Sequence, residues 1–455
     1  MTPDAESPVE LALLTALGLA LPLGNFPFVV WRGFGIDSVH VLGGALVLAA
    51  AVRWILGQRR LRPPTGVIWC GALLVIPLLV YSFRRQPGFS APAFCRTYLH
   101  LAFWLVVFVA MSSRALPERR FSRMLGVLAS EGLILGLYGV WQTVAFARGW
   151  PTGVAFLNQL ANKPLRGGLD PKVWRATATF EEPKWLAIYL SFTVVYAYTL
   201  AVRARARGDG VSAACWLLAV LAIALSAIFT ASVGGLAVMA IVLAAMAAHF
   251  LATLRARRAL AFALCVCVAA AGLVWIWTAR GGVANLLRVR IDAAIENIPG
   301  QRGLGASYTS GWRYQRNARY AMRMFAESPL LGIGVGQFAP VGAVRGPGLG
   351  FSPGDTHDAW VGWVAWIAEM GLAGAAILAA LLVAILRRSA RVFRPALNPY
   401  SVLTCLLVLV VVAKEAHSAF YVTFWTWYPL GLAALSALIA GDWQTSDRAP
   451  TRAES

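Results

Sequence analysis

One histidine in this chain stands among acids, in Asp355-Thr356-His357-Asp358. Carboxylates beside an imidazole raise its basicity and orient its ring, so His357 is a candidate general base or, once protonated, a charged hydrogen-bond donor. It closes a stretch, residues 280–358, that carries Arg280, Arg288, Arg290, Arg302, Arg313, Arg316, Arg319, Arg323 and Arg345 against five acids. Arginine's planar fork matches pairs of phosphate oxygens, so this excess points to a phosphate-type ligand; lipid headgroup contact and internal ion pairs are the alternatives. His417, in Lys414-Glu415-Ala416-His417, is the reserve candidate. His40, His100 and His249 fall in or at the edges of apolar runs and read as packing or interface residues.

The elements that must position these groups are membrane helices. Of 455 residues, 59% are hydrophobic and 13% charged, whereas soluble proteins run at about half apolar and about a quarter charged, so a soluble enzyme is excluded. The net charge of +20 comes from 40 Lys+Arg against 20 Asp+Glu, and only Lys163, Lys172, Lys184 and Lys414 are lysines. The arginines fall in bursts between apolar runs, which the positive-inside rule explains without nucleic acid. Cys70, Cys95, Cys215, Cys265, Cys267 and Cys405 all lie within apolar runs, so neither disulfides nor a metal site is expected.

Apolar stretches long enough to cross a bilayer fall at 10–31, 38–56, 65–83, 94–113, 124–147, 184–202, 213–230, 231–252, 259–279, 359–386, 399–415 and 418–440. This predicts an all-α integral membrane protein, a single polytopic domain of about twelve spans, whose first span is a helix and not a cleaved signal. The basic bursts (Arg59 to Arg62, Arg114 to Arg123, Arg203 to Arg207, Arg255 to Arg258, Arg387 to Arg394) follow spans 2, 4, 6, 8 and 10. That puts five loops, both termini and the 442–455 tail on the cytoplasmic side. The long loops 148–183 and 280–358 are then extracytoplasmic, folded down onto the bundle.

In the second loop a helix is expected from Gly311 to Glu327, ended by Pro329, with Arg316, Arg319 and Arg323 on one face and Tyr320 and Met324 on another. Gly332, Gly334 and Gly336 suit a tight re-entrant turn whose amides approach an anion. Glu369, twelve residues after His357, reads as a buried anchor, with a role in a proton or substrate network as the alternative. Trp360, Trp363 and Trp366 read as an interfacial belt, with stacking on sugar or lipid the alternative.

These patches resemble the O-antigen ligase and polymerase family. The residues that carry the likeness are Ser328-Pro-Leu-Leu-Gly-Ile-Gly-Val-Gly-Gln-Phe338, Thr356-His-Asp-Ala-Trp360 and Ala368-Glu-Met-Gly-Leu-Ala-Gly374. A further patch, Arg175-Ala-Thr-Ala-Thr-Phe-Glu-Glu-Pro183, is similar to the family's Arg, Gly-Thr-Phe, Asn-Pro-Asn segment. The resemblance implies a GT-C-like fold in the bacterial inner membrane. It also implies metal-independent transfer, with no cofactor, of a glycan from undecaprenyl diphosphate to an acceptor hydroxyl on the periplasmic side.

The same resemblance makes His357 the catalytic histidine and Arg313 its partner at the donor diphosphate. Arg175 is the second arginine, with Arg288, Arg290, Arg316 and Asp358 as further substrate-binding candidates. The implied acceptor is a lipid A core sugar (ligase, in lipopolysaccharide biosynthesis), the next repeat unit (polymerase) or a protein side chain. Two departures stand out: Ser232-Val233-Gly234 where the family commonly has Ser-Arg-Gly, and Asp358 where it usually has Asn. The first shifts weight from ligase toward polymerase and makes Arg175 a candidate substitute. A transporter or flippase, or a non-catalytic scaffold, are the rival classes; Arg53, Glu131, Glu369 and Lys414 are the few intramembrane charges on which a transport path would have to draw.

Overall fold

The computed structural model describes residues 8–24, 27–31, 34–56, 65–83, 87–113, 116–160, 168–170, 173–253, 310–349, 362–390, 398–415 and 423–447. The chain is a helical membrane bundle. Its helices are α1 (Pro8–Ala20), α2 (Ser38–Ile55), α3 (Thr65–Phe83), α4 (Ala91–Ser112), α5 (Glu118–Arg148), α6 (Val154–Leu160), α7 (Pro183–Ala206), α8 (Gly210–Ile228) and α9 (Val233–Ala252). They continue with α10 (Ser310–Glu327), α11 (Phe338–Arg345), α12 (Gly362–Ala390), α13 (Pro399–Glu415) and α14 (Phe424–Asp447). Among the described residues, seven helices are long and apolar enough to cross a bilayer: α2, α4, α5, α7, α8, α9 and α12. The expected span at 259–279 lies outside the described residues.

One expectation is corrected. The first span does not run unbroken to residue 31: α1 gives way to a 3₁₀ turn at Leu21–Leu23, followed by strands β1 (Pro27–Trp31) and β2 (Phe34–Asp37) in an antiparallel hairpin. Pro22 and Pro27 lack the amide protons a continuing helix needs, so apolar content alone overstated the helix. A second short hairpin pairs β3 (Gly168–Asp170) with β4 (Val173–Trp174), and the all-α architecture expected from the sequence stands.

The core is built around α7, which is apolar on all sides and buried along nearly its whole length between α5, α8, α9 and α13. Its approach to α5 depends on small residues: a Cβ at Gly132 would fall 2.2 Å from Thr193 Oγ1, and one at Gly136 would fall 2.3 Å from Ser226 Oγ. The Gly-x-x-x-Gly spacing thus lets α5 lie against α7 and α8 with van der Waals contact rather than hydrophobic burial as the driving force, as lipid surroundings require.

The basic helix ends cluster at one end of the bundle. The Glu118 carboxylate accepts from Arg203, from the Tyr400 hydroxyl and, at 2.7 Å, from Arg207 Nη2, joining the start of α5 to the end of α7 and the start of α13. Asn398 Nδ2 donates to the Ala440 carbonyl at 2.9 Å and bonds between Ser389 and Ser401 bring in α12, so α14 ends here too. At the opposite end Thr179 Oγ1 donates to the Pro22 carbonyl at 2.8 Å, and the loop that begins at Arg175 is found there.

Candidate functional site

The Pro-Leu-Leu-Gly-Ile-Gly-Val-Gly element and the Glu-Met-Gly element are one unit. Residues 328–338 fold as a loop with positive φ at Gly332, Gly334 and Gly336. They lie against a break in α12 at Gly371 (φ 64, ψ −169). The break frees backbone groups that a regular helix would use internally. Ile333 N donates to Ala368 O at 2.9 Å, Gly334 N to Glu369 O at 3.0 Å, Leu372 N to Pro329 O at 2.8 Å and Ala373 N to Leu330 O at 3.0 Å. No side chain fits where the two backbones meet: a Cβ on Gly332 would lie 2.4 Å from the Glu369 carbonyl, and one on Gly371 would lie 2.4 Å from the Leu330 carbonyl.

Of the glycine amides expected to approach a bound anion, Gly332 N and Gly334 N donate to backbone carbonyls, and Gly336 N meets an internal carboxylate. Glu369 Oε2 accepts from Gly336 N and Oε1 from Phe338 N, both at 2.9 Å, and the carboxylate is buried. Of the two readings of Glu369, the anchor matches these bonds, because a buried carboxylate must be met by donors. The loop is held on its other flank by Gln337, whose Oε1 accepts from Ser90 N at 2.8 Å while its Nε2 donates to Ser90 O at 3.0 Å.

α10 packs on this unit through Tyr320, Ala321 and Met324, which form a buried cluster with Ile333, Phe338, Val341 and Ala368. Burial pushes the Tyr320 hydroxyl up to about 12, with Glu327 adding to the rise and Arg345 opposing it. Arg319 and Arg323 are exposed on the opposite side. Arg313 and Arg316 lie on α10. His357, Asp358, Arg288, Arg290 and His417 lie outside the described residues.

Arg175 is buried, and its Nε donates to the Thr230 carbonyl at 3.0 Å. The neighbouring Ala176 N donates to Phe229 O at 3.0 Å, so the segment is clamped to the α8–α9 turn. That turn is the tight connection expected around residue 230, with Ala231 at φ 45 and Ser232 capping α9 through a 3.4 Å bond to Gly235 N. The guanidinium thus sits two residues before the cap of the helix that begins at Val233, at the positive end of that helix's dipole.

Gln142, which sequence reasoning passed over, shapes the Arg175 segment. Its Oε1 accepts from Ala178 N at 2.8 Å and Thr177 N at 3.2 Å, and its Nε2 donates to Ala178 O at 3.0 Å. These bonds hold Ala178 at φ 47, an uncommon conformation for a residue with a Cβ. A polar residue inside the long apolar helix α5 was the only signal available.

The start of α14 joins the Arg175 segment to α12. Trp425 stacks on Trp185 (5.7 Å, 21°) and lies 5.8 Å from Phe180. The adjacent Thr426 and Trp427 line a cavity with Gly362, Trp363, Trp366 and Glu415 that has room for about one water. Trp366 is buried and Trp363 Nε1 donates to Val412 O at 3.0 Å, so these two indoles pack within the bundle and do not form the expected interfacial belt. Beside them Lys414 Nζ lies 2.6 Å from Glu415 Oε1 and donates to Thr426 Oγ1 at 2.9 Å.

Every intramembrane charge anticipated from the sequence is met by a partner. Arg53 lies 3.7 Å from Glu10, the Tyr189 hydroxyl donates to Glu131 at 2.5 Å, and Lys414 and Glu369 are held as described above. His40 pairs with Asp37 at 2.7 Å and His249 with the Tyr198 hydroxyl at 2.8 Å, while His100 lies 5.4 Å from His40, which makes all three packing residues. No protein-family model matches this chain, and no curated protein matches it in sequence.

Proposed function

We propose that this chain is an inner-membrane glycosyltransferase that moves a glycan from an undecaprenyl-diphosphate carrier to an acceptor hydroxyl, as an O-antigen ligase of lipopolysaccharide biosynthesis. On this reading the chain has twelve spans in a GT-C-like arrangement, both termini are cytoplasmic and the site faces the periplasm. The observation that carries the reading is the union of the Gly332–Gly336 loop with Glu369. Two of the patches on which the family resemblance depends form one hydrogen-bonded unit, on the helix that begins five residues after His357. Transport fits less well, because the anticipated intramembrane charges are partnered inside the bundle rather than spread along a path.

In the proposed reaction Arg313 and Arg175 hold the donor diphosphate, and Arg288, Arg290 and Arg316 add to the positive field. His357, with Asp358 beside it, takes the acceptor's proton or orients its hydroxyl. The acceptor oxygen bonds to the anomeric carbon as the bond from that carbon to the phosphate oxygen breaks. The electron pair leaves on the diphosphate, where fixed guanidinium groups stabilise it in a partly dry site. Transfer to a growing polysaccharide is the second reading, favoured by Val233 standing where the family commonly carries arginine.

The test is transfer by detergent-purified protein from an undecaprenyl-diphosphate oligosaccharide with EDTA present. His357→Ala and Arg313→Ala are expected to lower the rate by about a hundredfold or more while the protein remains folded, and product length separates ligase from polymerase. Failure of the wild type to cleave donor with any acceptor, or full activity of His357→Ala, overturns the assignment.

A further inference from the structure

α10 has one face too many for a helix that only braces a loop. Its inward stripe, Asn317, Tyr320, Ala321 and Met324, is buried; Arg319, Met322 and Arg323 are exposed on the other side. The depth of that exposed face follows from α12, whose last turn carries Arg387 and Arg388. About 20 helical residues cross the hydrocarbon layer, so counting back from this basic boundary puts the opposite boundary near Ile367. α10 packs at this level, against Val364 and Ala368.

Just beyond, Leu330 is 68% exposed and bonded through its carbonyl to Ala373, next to Leu372, which is 51% exposed. Two large apolar side chains open at that depth face acyl chains. The open face of α10 therefore lies where hydrocarbon gives way to headgroups, with Met322 (47% exposed) beside two arginines. Among the described residues its one acid, Glu327, is paired with Arg345, so the described part of this face, with Arg319 and Arg323, carries net positive charge.

We propose that this face binds the phosphate of an anionic phospholipid headgroup through Arg319 and Arg323, holding α10, and with it the Gly332–Gly336 loop, at a set height in the membrane interface. The arrangement matches the chemistry of interfacial helices, in which cations reach phosphates while apolar neighbours enter the acyl boundary. It depends on the membrane reading alone and not on the transfer reaction.

The experiment is photo-crosslinking of the full chain with p-benzoylphenylalanine at Ala326, an exposed position on the same face, in vesicles of equal phosphatidylglycerol and phosphatidylcholine. Mass spectrometry of the adducts is expected to show phosphatidylglycerol enriched over the vesicle ratio. Enrichment should fall in Arg319→Gln/Arg323→Gln by about fivefold per arginine, and Arg319→Lys/Arg323→Lys should retain it. Absence of lipid adducts, enrichment unchanged in the glutamine pair, or loss of enrichment in the lysine pair overturns the proposal. Glycan transfer measured on the same variants reports separately on the function.

Discussion

The Glu369 carboxylate accepts the Gly336 amide at 2.9 Å, across an interval of 33 residues. With the Phe338 amide on its other oxygen, it ties a glycine-rich loop to the helix that follows His357. Glu369→Ala removes both acceptors and leaves two buried amides unmet, at about 1.5–3 kcal/mol for each bond to a charged group. It should lower stability by about 3 kcal/mol and, under the proposed function, reduce glycan transfer; Glu369→Gln, which keeps one acceptor, should do less. Thermal unfolding in detergent checks this, and a Glu369→Ala protein that unfolds at the wild-type temperature rules out the anchor.

Gly332 combines a φ of +73 with a Cβ position 2.4 Å from backbone of Glu369. Gly332→Ala cannot relieve that clash by moving a side chain, so a loss of about 3 kcal/mol or more is expected. Gly348, with nothing within 4 Å of its Cβ position, is the control: Gly348→Ala should change the unfolding temperature little. Equal effects of the two substitutions would refute the close approach.

Arg175 and Gln142 should separate by readout. Gln142→Leu abolishes three bonds to the Thr177–Ala178 backbone and should destabilise the protein by about 3 kcal/mol. Arg175→Lys keeps the charge but loses the planar fork and the bond to Thr230; under the proposed transfer reaction it should lower kcat/KM by about tenfold to a hundredfold with a smaller effect on unfolding. An Arg175→Lys protein that transfers glycan at the wild-type rate would remove Arg175 from the proposed donor site.

At the basic end of the bundle, Glu118 joins three helices through Arg203, Arg207 and Tyr400. Glu118→Ala should cost about 2–3 kcal/mol because it leaves a partly buried guanidinium uncompensated. A double-mutant cycle with Tyr400→Phe should show a coupling of about 1 kcal/mol; additive effects would mean that the hydroxyl contributes independently.

The sequence by itself determined the membrane character, most helix positions and the loop helix, because hydrocarbon thickness and the lack of water for backbone groups leave few alternatives to apolar helices. It also singled out Gly332, Gly334, Gly336 and Glu369 as chemically unusual, but not that they belong to one another. Turn residues report that the chain bends, whereas the partner of a freed amide is set by what the fold brings alongside. Only the tertiary structure gave the Gly334 and Gly336 amides to Glu369, moved Trp363 and Trp366 into the bundle and closed the Gln142 bonds around Ala178. It also seated Arg175 at the Thr230 carbonyl, beside the helix start that lacks the expected arginine. Periodicity encodes which face of a helix is apolar; it carries no record of which buried polar group, 30 or 50 residues away, must meet which donor.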